Sequence, residues 1–415
     1  MVKGSGGVVA TLDKPLTQRH PDRAVSAVSE RAYVGCALRR DLAMRLASFN
    51  VENLFARAKA LNGQSWAVGK PVLAAQAELN TLLEEQAYTD AVKTRILQLL
   101  GTLALQRSDD SEFVRLRTIR GHLLRRPRSG PVEVVAGGRP DWIGWAELKT
   151  EPVDELAMRH TAMVMRDIDA DVLAVVEADS RPVLKRFSDA LLLEVGGAPY
   201  EQVMLIDGND DRGIDVGILA RAAYPLDKIR THIFDTDTEG VIFSRDCCEY
   251  HLGTPGGDAV VVLVNHFKSK GYSTPGDPQG VRRRRRQAAR VADVYDALRT
   301  SGTELIAVIG DLNDDPTSTA LQPLIGETDL RDISTHPAFD FGPRKGTFGS
   351  GNEKDKIDYI LLSPALFVRA TGGAVFRKGV WRGARTKNPW PIYPTLTAEV
   401  HAASDHAAIY ADLDL

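Results

Sequence analysis

Residues 308–316 read "VIGDLNDDP", an apolar run that stops on Asp-Leu-Asn and breaks at Pro316. Val and Ile favour a pleated, buried strand, and proline lacks the donor needed to extend one. Side chains two residues apart on an extended chain share a face, so Asp311 and Asn313 are expected to point together at something held at the strand's mouth. Buried carboxylates and amides require partners. The question is whether other strands end in the same way.

They do. Apolar runs of strand length recur as "RLASF" (45–49), "DVLAVVE" (171–177), "DVGILAR" (215–221), "AVVVLVNHF" (259–267), "LIAVIGD" (305–311), "KIDYILLS" (356–363) and "HAAIYADL" (406–413). Helical periodicity covers about 154–168, with Leu156, Met163, Val164 and Ile168 inward, and also about 181–193 and about 279–298. Strands follow one another with only turns between them from 200 to 267, which excludes the regular alternation of a parallel barrel. The pattern predicts an α/β (α+β) class sandwich with largely antiparallel sheets.

Residues 1–43 mix Gly, Pro, Arg and Asp without periodicity and are expected to be a poorly ordered N-terminal extension, with Met44 directly before the first strand. The main domain is then 44–415, interrupted at about 56–150 by an insertion. That insertion opens with a helical stretch, "LAAQAELNTLLEEQAYTDAVKTRILQLLGTLAL", and continues with "RLRTIRGHLLRRPR". It closes with "VEVVAGGRPDWIGWAEL", which predicts a hairpin turning at Gly137-Gly138.

With 415 residues, 43% of them hydrophobic, the chain can bury its core without disulfides or structural metals. A formal net charge of -3 argues against coating nucleic acid by bulk charge, although local basic stretches can still meet phosphates. Cys36, Cys247 and Cys248 have no metal-ligand spacing and fit a reducing interior. No stretch approaches the roughly twenty apolar residues of a membrane helix, and the N-terminus lacks a secretory pattern. A cytoplasmic protein without membrane association or an obligate protein partner is expected.

The strand ends carry the chemistry. The first stops at Asn50, the second at Glu177, a carboxylate that a hard divalent cation would offset. "VNHFKSKG" supplies His266 with Lys268 and Lys270 close by, suited to an anionic substrate. Asp358 stands beside "YILL", and Ser404-Asp405-His406 precedes the last strand. Each residue alone has a structural explanation, such as a turn Asn or a capping carboxylate. Together they can satisfy only one another or a ligand.

In order, "SFNVENLF", "ADVLAVVEAD", "RGIDVGIL", "VNHFKSKG", "GDLNDDP", "KIDYILL" and "SDHAAI" resemble the motifs of the endonuclease/exonuclease/phosphatase superfamily. The resemblance spans about 44–55 and 165–415 and has no counterpart to the insertion. It implies a four-layered α/β/β/α sandwich and divalent-metal-dependent phosphoester hydrolysis, with Mg2+ or Mn2+ as cofactor. It places Asn50, Glu177 and Asp405 at the metal. Asp311 and Asn313 would orient the attacking water and phosphate oxygens. His406, held by Asp358, would contact the phosphate, and His266 would act as acid near the leaving oxygen. Abasic-site nucleases carry a tyrosine near "RGIDVGIL", whereas here the local residues are Arg212, Ile214 and Asp215, with no tyrosine until Tyr224.

For the substrate, Arg212, Lys268 and Lys270, and Arg117 and Arg120 of the insertion, are candidate contacts. The run Arg282 to Arg286 reads either as a solvated helix face or as a phosphate contact. Arginines of the insertion lie near Trp142 and Trp145, a mixture that suits single-stranded or distorted nucleic acid, while the tryptophans equally suit a hairpin core. The expected activity is a Mg2+-dependent nuclease acting on DNA, with RNA a further candidate substrate. The alternatives are a phosphatase or phosphodiesterase for inositol phosphates, lipids or small nucleotides, and a catalytically silent scaffold.

Overall fold

A computed structural model describes residues 43–415, apart from 53, 55, 62–65, 211–212, 272–275 and 383–389. The expected N-terminal extension lies outside the described residues.

Among the described residues, the apolar runs assemble into one seven-stranded and one six-stranded sheet. The first runs Phe339–Asp340, Ala370–Phe376, Ala408–Asp414, Ala43–Asn50, Val172–Ala178, Asp215–Ala220, Gln202–Ile206. The second runs Leu226–Arg230, Cys247–Gly253, Ala259–His266, Ile306–Asp311, Asp358–Leu362, Arg331–Asp332. Most neighbours are antiparallel. The exceptions are Ala43–Asn50 with Val172–Ala178, Ala259–His266 with Ile306–Asp311, and Phe339–Asp340 with Ala370–Phe376.

Alternation along each strand divides its side chains between two cores. Leu46, Val172, Ala174, Val176, Val262, Val264, Ile309, Ile360 and Ile409 meet between the sheets. Phe49, Leu173 and Val175 face outward beneath helix Glu155–Ile168, which contributes Ala162, Val164, Met165 and Ile168. On the other side, Val261, Leu263, Val308 and Leu361 receive Ala288, Val291 and Tyr295 of helix Val281–Thr300. Helix, sheet, sheet and helix therefore stack as four layers around three apolar interfaces. The first helix starts where its sequence dictates, because the Asp154 carboxylate accepts from the Leu156 and Ala157 amides. Leu156 and Met163, expected inward, are only half-buried. The 181–193 helix is α-helical over Arg181–Arg186 and π-helical over Phe187–Leu192.

Strand Ala370–Phe376 escaped the sequence reading because its glycines weaken the β signal. Gly373 is there for space: a Cβ would lie 2.4 Å from the Tyr410 carbonyl oxygen on the neighbouring strand.

The insertion has a core of its own, in which helices Trp66–Leu83 and Asp90–Thr102 pack Leu79, Leu83, Ile96 and Leu100 against Val114, Leu116 and Trp142. The expected hairpin at Gly137-Gly138 is corrected. Val114–Arg120 pairs with Ile143–Leu148, and Leu124–Arg125 with Glu133–Val134. Gly138 instead lets the chain pass the segment after the first helix, since a Cβ there would sit 2.1 Å from the Gln86 carbonyl oxygen. Among the described residues no helix is long and apolar enough to cross a membrane.

Candidate active site

The pairing register builds the site. His266 is the register partner of Asp311, and Asp311 of Asp358, so three adjacent strands of the six-stranded sheet end in one row. Each of the three stands two residues from an inward-facing apolar residue of its own strand: His266 after Val264, Asp311 after Ile309, and Asp358 before Ile360. Their polar side chains therefore form the last layer of the space between the sheets. Asn50 ends the facing strand with the same parity as Leu46. Asn50, His266, Asp311, Asp358 and His406 are all buried, none more than 6% exposed.

Glu177 reaches this layer by an irregularity. Asp215 pairs with Ala178 and Val216 with Val176, leaving Glu177 bulged out of the ladder at φ 66°. Strict alternation would have sent Glu177 toward the outer helix and Ala178 inward, but Ala178 lies in the outer core. The bulge re-aims the carboxylate, a recognised use of such defects beside active sites. Glu177 Oε1 lies 3.6 Å from His266 Nε2.

Asp311 is the hub. Its Oδ2 lies 3.7 Å from His266 Nε2 and 3.9 Å from His406 Nε2, and accepts from Asn50 Nδ2 at 3.2 Å. Burial pushes its carboxyl up to about 7; His406 opposes this, while Asp358 and Glu177 reinforce it. His406 Nδ1 meets Asp358 Oδ2 at 2.9 Å. Burial alone would depress His406, but Asp358 and Asp311 hold it well above its ordinary value.

Asn313 does join Asp311, though not as extended chain. The strand ends at Asp311, and Asn313 adopts φ 56° and folds back. Its amide Nδ2 donates to Asp311 Oδ2 at 3.0 Å and to the Phe267 carbonyl at 3.2 Å, and its backbone N–H donates to Asp311 Oδ1 at 2.8 Å. A local turn, not strand parity, brings the two residues together.

Glu52 was not anticipated. Its backbone N–H donates to Asn50 Oδ1 at 3.0 Å, and its Oε2 accepts from the Asp405 N–H at 3.0 Å. At φ 49°, Glu52 thus ties the loop after the first strand to the Ser-Asp-His turn. The sequence signal was present in "FNVEN", but only the turn geometry shows its use. Asp405 Oδ1 lies 3.8 Å from His406 Nε2, its side chain 45% exposed at the rim. The Phe348 ring lies over His406 with centroids 4.9 Å apart.

The expected basic contacts fare differently. Lys270 pairs with Asp314 at 2.7 Å. Arg212 lies outside the described residues. Arg117 pairs with Glu147 at 2.7 Å and Arg120 donates to the Pro140 carbonyl at 2.9 Å, so both are engaged within the insertion's ribbon. Arg115 and Arg126 likewise face Asp110 and Asp109, and Trp142 is core, which leaves Trp145 as the exposed ring. In the arginine run, Arg282 meets Glu239, Arg286 meets Asp237, and Arg283 and Arg285 donate to the Ile242 and Thr319 carbonyls. Arg284 is buried and bound to Asp314. Arg282 and Arg285 thus stay exposed while bonded to neighbours, Arg283 and Arg286 are half-buried, and Arg284 alone of the five is core.

Asp311, Asp358 and His406 offer ligand atoms within 4.8 Å of one another. Since His406 Nδ1 is already hydrogen-bonded to Asp358, the more suitable donors for a hard cation are the oxygens of Asp311 and Glu177, with Asn50 and Asp405 beside them. Burial is what raises the Asp311 carboxyl, with Asp358 and Glu177 adding to it, and a divalent cation on these oxygens would offset the cost of ionising the group there. The donor set therefore fits a divalent metal.

A four-layered sandwich with these groups at its mouth defines a metal-dependent phosphoesterase. Residues 151–406 match the Endonuclease/Exonuclease/phosphatase family, and the chain belongs to it. Among curated proteins no sequence matches this chain. Similar solved structures include an endonuclease/exonuclease/phosphatase family protein from Bacteroides thetaiotaomicron, at 17% identity, 62% of this chain and 86% of that one, TM-score 0.47. The mannosyl-6-phosphatase Bt3783 of Bacteroides thetaiotaomicron VPI-5482 shares 16% identity over 63% of this chain and 92% of its own, TM-score 0.48. Truncated TDP2 of Caenorhabditis elegans shares 17% over 63% and 91%, TM-score 0.42.

Proposed function

We propose that the protein is a nuclease that hydrolyses phosphodiester bonds of DNA with Mg2+ or Mn2+. The observation that carries this reading is the pair of histidines flanking one carboxylate: His266 and His406 lie 3.7 and 3.9 Å from the same Asp311 oxygen. Diester cleavage requires a proton to leave the attacking water and another to reach the departing alkoxide, and two proton-handling groups around one point meet that need.

In this reading Asn313 and Asn50 hold the phosphate oxygens and the Asp311 carboxylate in place. The water's oxygen bonds to phosphorus while its proton passes to the Asp311–His406 pair. As the P–O bond to the leaving group breaks, His266 protonates the departing oxygen. Asp358 fixes the His406 ring through Nδ1 and stabilises its protonated form. Glu52 keeps Asn50 and the Asp405–His406 turn in mutual position. Lys268 contributes positive charge beside the substrate anion. A divalent cation held by Glu177 and Asp311, with Asn50 and Asp405, would neutralise charge on the non-bridging oxygens.

Incubating supercoiled plasmid with the protein and Mg2+, Mn2+ or EDTA, beside the His406→Ala variant, tests the reading. Metal-dependent nicking that disappears in the variant is the expected result. No cleavage by folded wild-type protein would overturn it and favour a phosphatase or small-molecule phosphodiesterase.

A further inference from the structure

Arg284 and Gln287, on the first turns of helix Val281–Thr300, are both 0% exposed, although five consecutive arginines stand at the start of that helix. Burying a guanidinium is costly unless its donors are met, and here Nε and Nη1 are hydrogen-bonded while Nη2 is held by ion pairing alone. Nε and Nη2 face Asp314 Oδ2 at 3.1 and 3.0 Å, while Nη1 donates to the Lys268 carbonyl at 2.9 Å and the Gln279 carbonyl at 2.7 Å. Gln287 Oε1 accepts the Lys268 N–H at 2.8 Å. Both backbone polar groups of Lys268 are thus held by one helix. Gly280, at φ 64°, leaves the passage: a Cβ there would lie 2.9 Å from Lys268 Cγ.

These bonds join two chain segments that carry site residues. Lys268 lies two residues beyond His266. Asp314 directly follows Asn313, and also receives Lys270 Nζ at 2.7 Å and Ser318 Oγ at 2.6 Å. A second tie lies closer to the site, where the Phe267 carbonyl accepts from Asn313 Nδ2 at 3.2 Å and from Arg245 Nη1 at 3.2 Å. The strands beneath hold His266 and Asp311 in register, but they end there, and Asn313 and Lys268 lie beyond the ladder.

We infer that Arg284, supported by Gln287, is a positioning residue that locks the Lys268 segment to the Asn313–Asp314 turn and so sets Asn313 and Lys268 against the scissile phosphate. The fork geometry matters. One planar guanidinium serves a carboxylate and two carbonyls at once, which an ammonium on the same stem cannot do. The catalytic consequence rests on the phosphodiesterase reading, whereas the mechanical coupling does not.

The test combines hydrogen exchange with turnover of bis(p-nitrophenyl) phosphate in Mn2+, for wild type, Arg284→Lys and Gln287→Ala. Arg284→Lys is expected to speed exchange of the Lys268 and Asn313–Asp315 amides together, with the inter-sheet core unchanged. Misplacement on the scale of an ångström predicts a fall in kcat of about 100-fold and a smaller rise in KM, because Asn313 and Lys268 also meet the bound phosphate, with Mn2+ affinity within about twofold of wild type. Gln287→Ala, which removes the Lys268 N–H acceptor and a 3.4 Å donation to Ser244 Oγ but leaves the guanidinium clamp, should produce a smaller change of the same pattern and decides the matter if Arg284→Lys does not fold. Exchange changes confined to the helix start with kcat intact, or a uniform rise in exchange throughout the core, would overturn the inference. A wild type inactive on every diester offered would defeat the phosphodiesterase reading, while the exchange pattern would still decide the clamp.

Discussion

Replacing Asp358 by Asn isolates the electrostatic part of the site, because the two side chains have nearly the same shape. In the wild type the carboxylate meets His406 Nδ1 at 2.9 Å, with both residues buried. A hydrogen bond to a charged group contributes about 1.5–3 kcal/mol, which at about 1.4 kcal/mol per tenfold step is roughly 10- to 150-fold in the population of correctly held imidazole. Asparagine also favours the tautomer with the proton on Nε2, so the loss of acid–base function brings the expected fall in kcat to about 10²- to 10⁴-fold. The pH dependence has a definite sign. The Asp358 charge raises both Asp311 and His406, so its removal moves both groups to lower pKa and both limbs of the kcat/KM profile toward acid. Initial rates between about pH 5 and about pH 9 at saturating Mn2+, with a melting curve confirming the fold, measure both effects. A variant with wild-type rates and an unmoved profile would refute the role given to the pair.

Asp311→Asn should abolish turnover yet stabilise the metal-free protein at alkaline pH. The folded carboxyl titrates at about 7, above its unfolded value of about 3.9, so its favourable contribution is complete below about pH 4 and lost as pH rises through 7. Melting temperatures in EDTA should therefore favour the variant increasingly from pH 4 to 8, by the order of a few kcal/mol, and Mg2+ should raise the wild-type melting temperature more at pH 8 than at pH 5. Trp142→Ala, at a residue 0% exposed in the insertion's core, is expected to cost about 3–5 kcal/mol on denaturant unfolding while leaving kcat of the folded protein unchanged. A fall in kcat at full folding would show that the insertion shapes the site.

Much of the site was legible because a strand that is apolar until its final residue announces a buried polar end. Asn50, Glu177, His266 and Asp311 were singled out that way and Asp358 as a carboxylate beside an apolar strand, and the structure gathers them with Asp405 and His406 at one mouth. Glu52 escaped because its role lies in a turn at positive φ and in an acceptor contact 353 residues away, neither of which leaves a periodic trace. The arginines were readable as charge but not as partners. A guanidinium facing a carboxylate and one facing solvent have the same sequence.

The sequence by itself determined most of the core strands, though not Ala370–Phe376, together with the two main framework helices and the polar residues at the strand ends, because alternation and capping are local properties of the chain. Only the tertiary structure decided that His266, Asp311 and Asp358 fall in one row, since register depends on which strands pair. The bulge that turns Glu177 inward and the pairing of Val114–Arg120 with Ile143–Leu148 were likewise settled there. Both depend on which distant backbone groups and core positions are left to satisfy, and no local pattern encodes that choice.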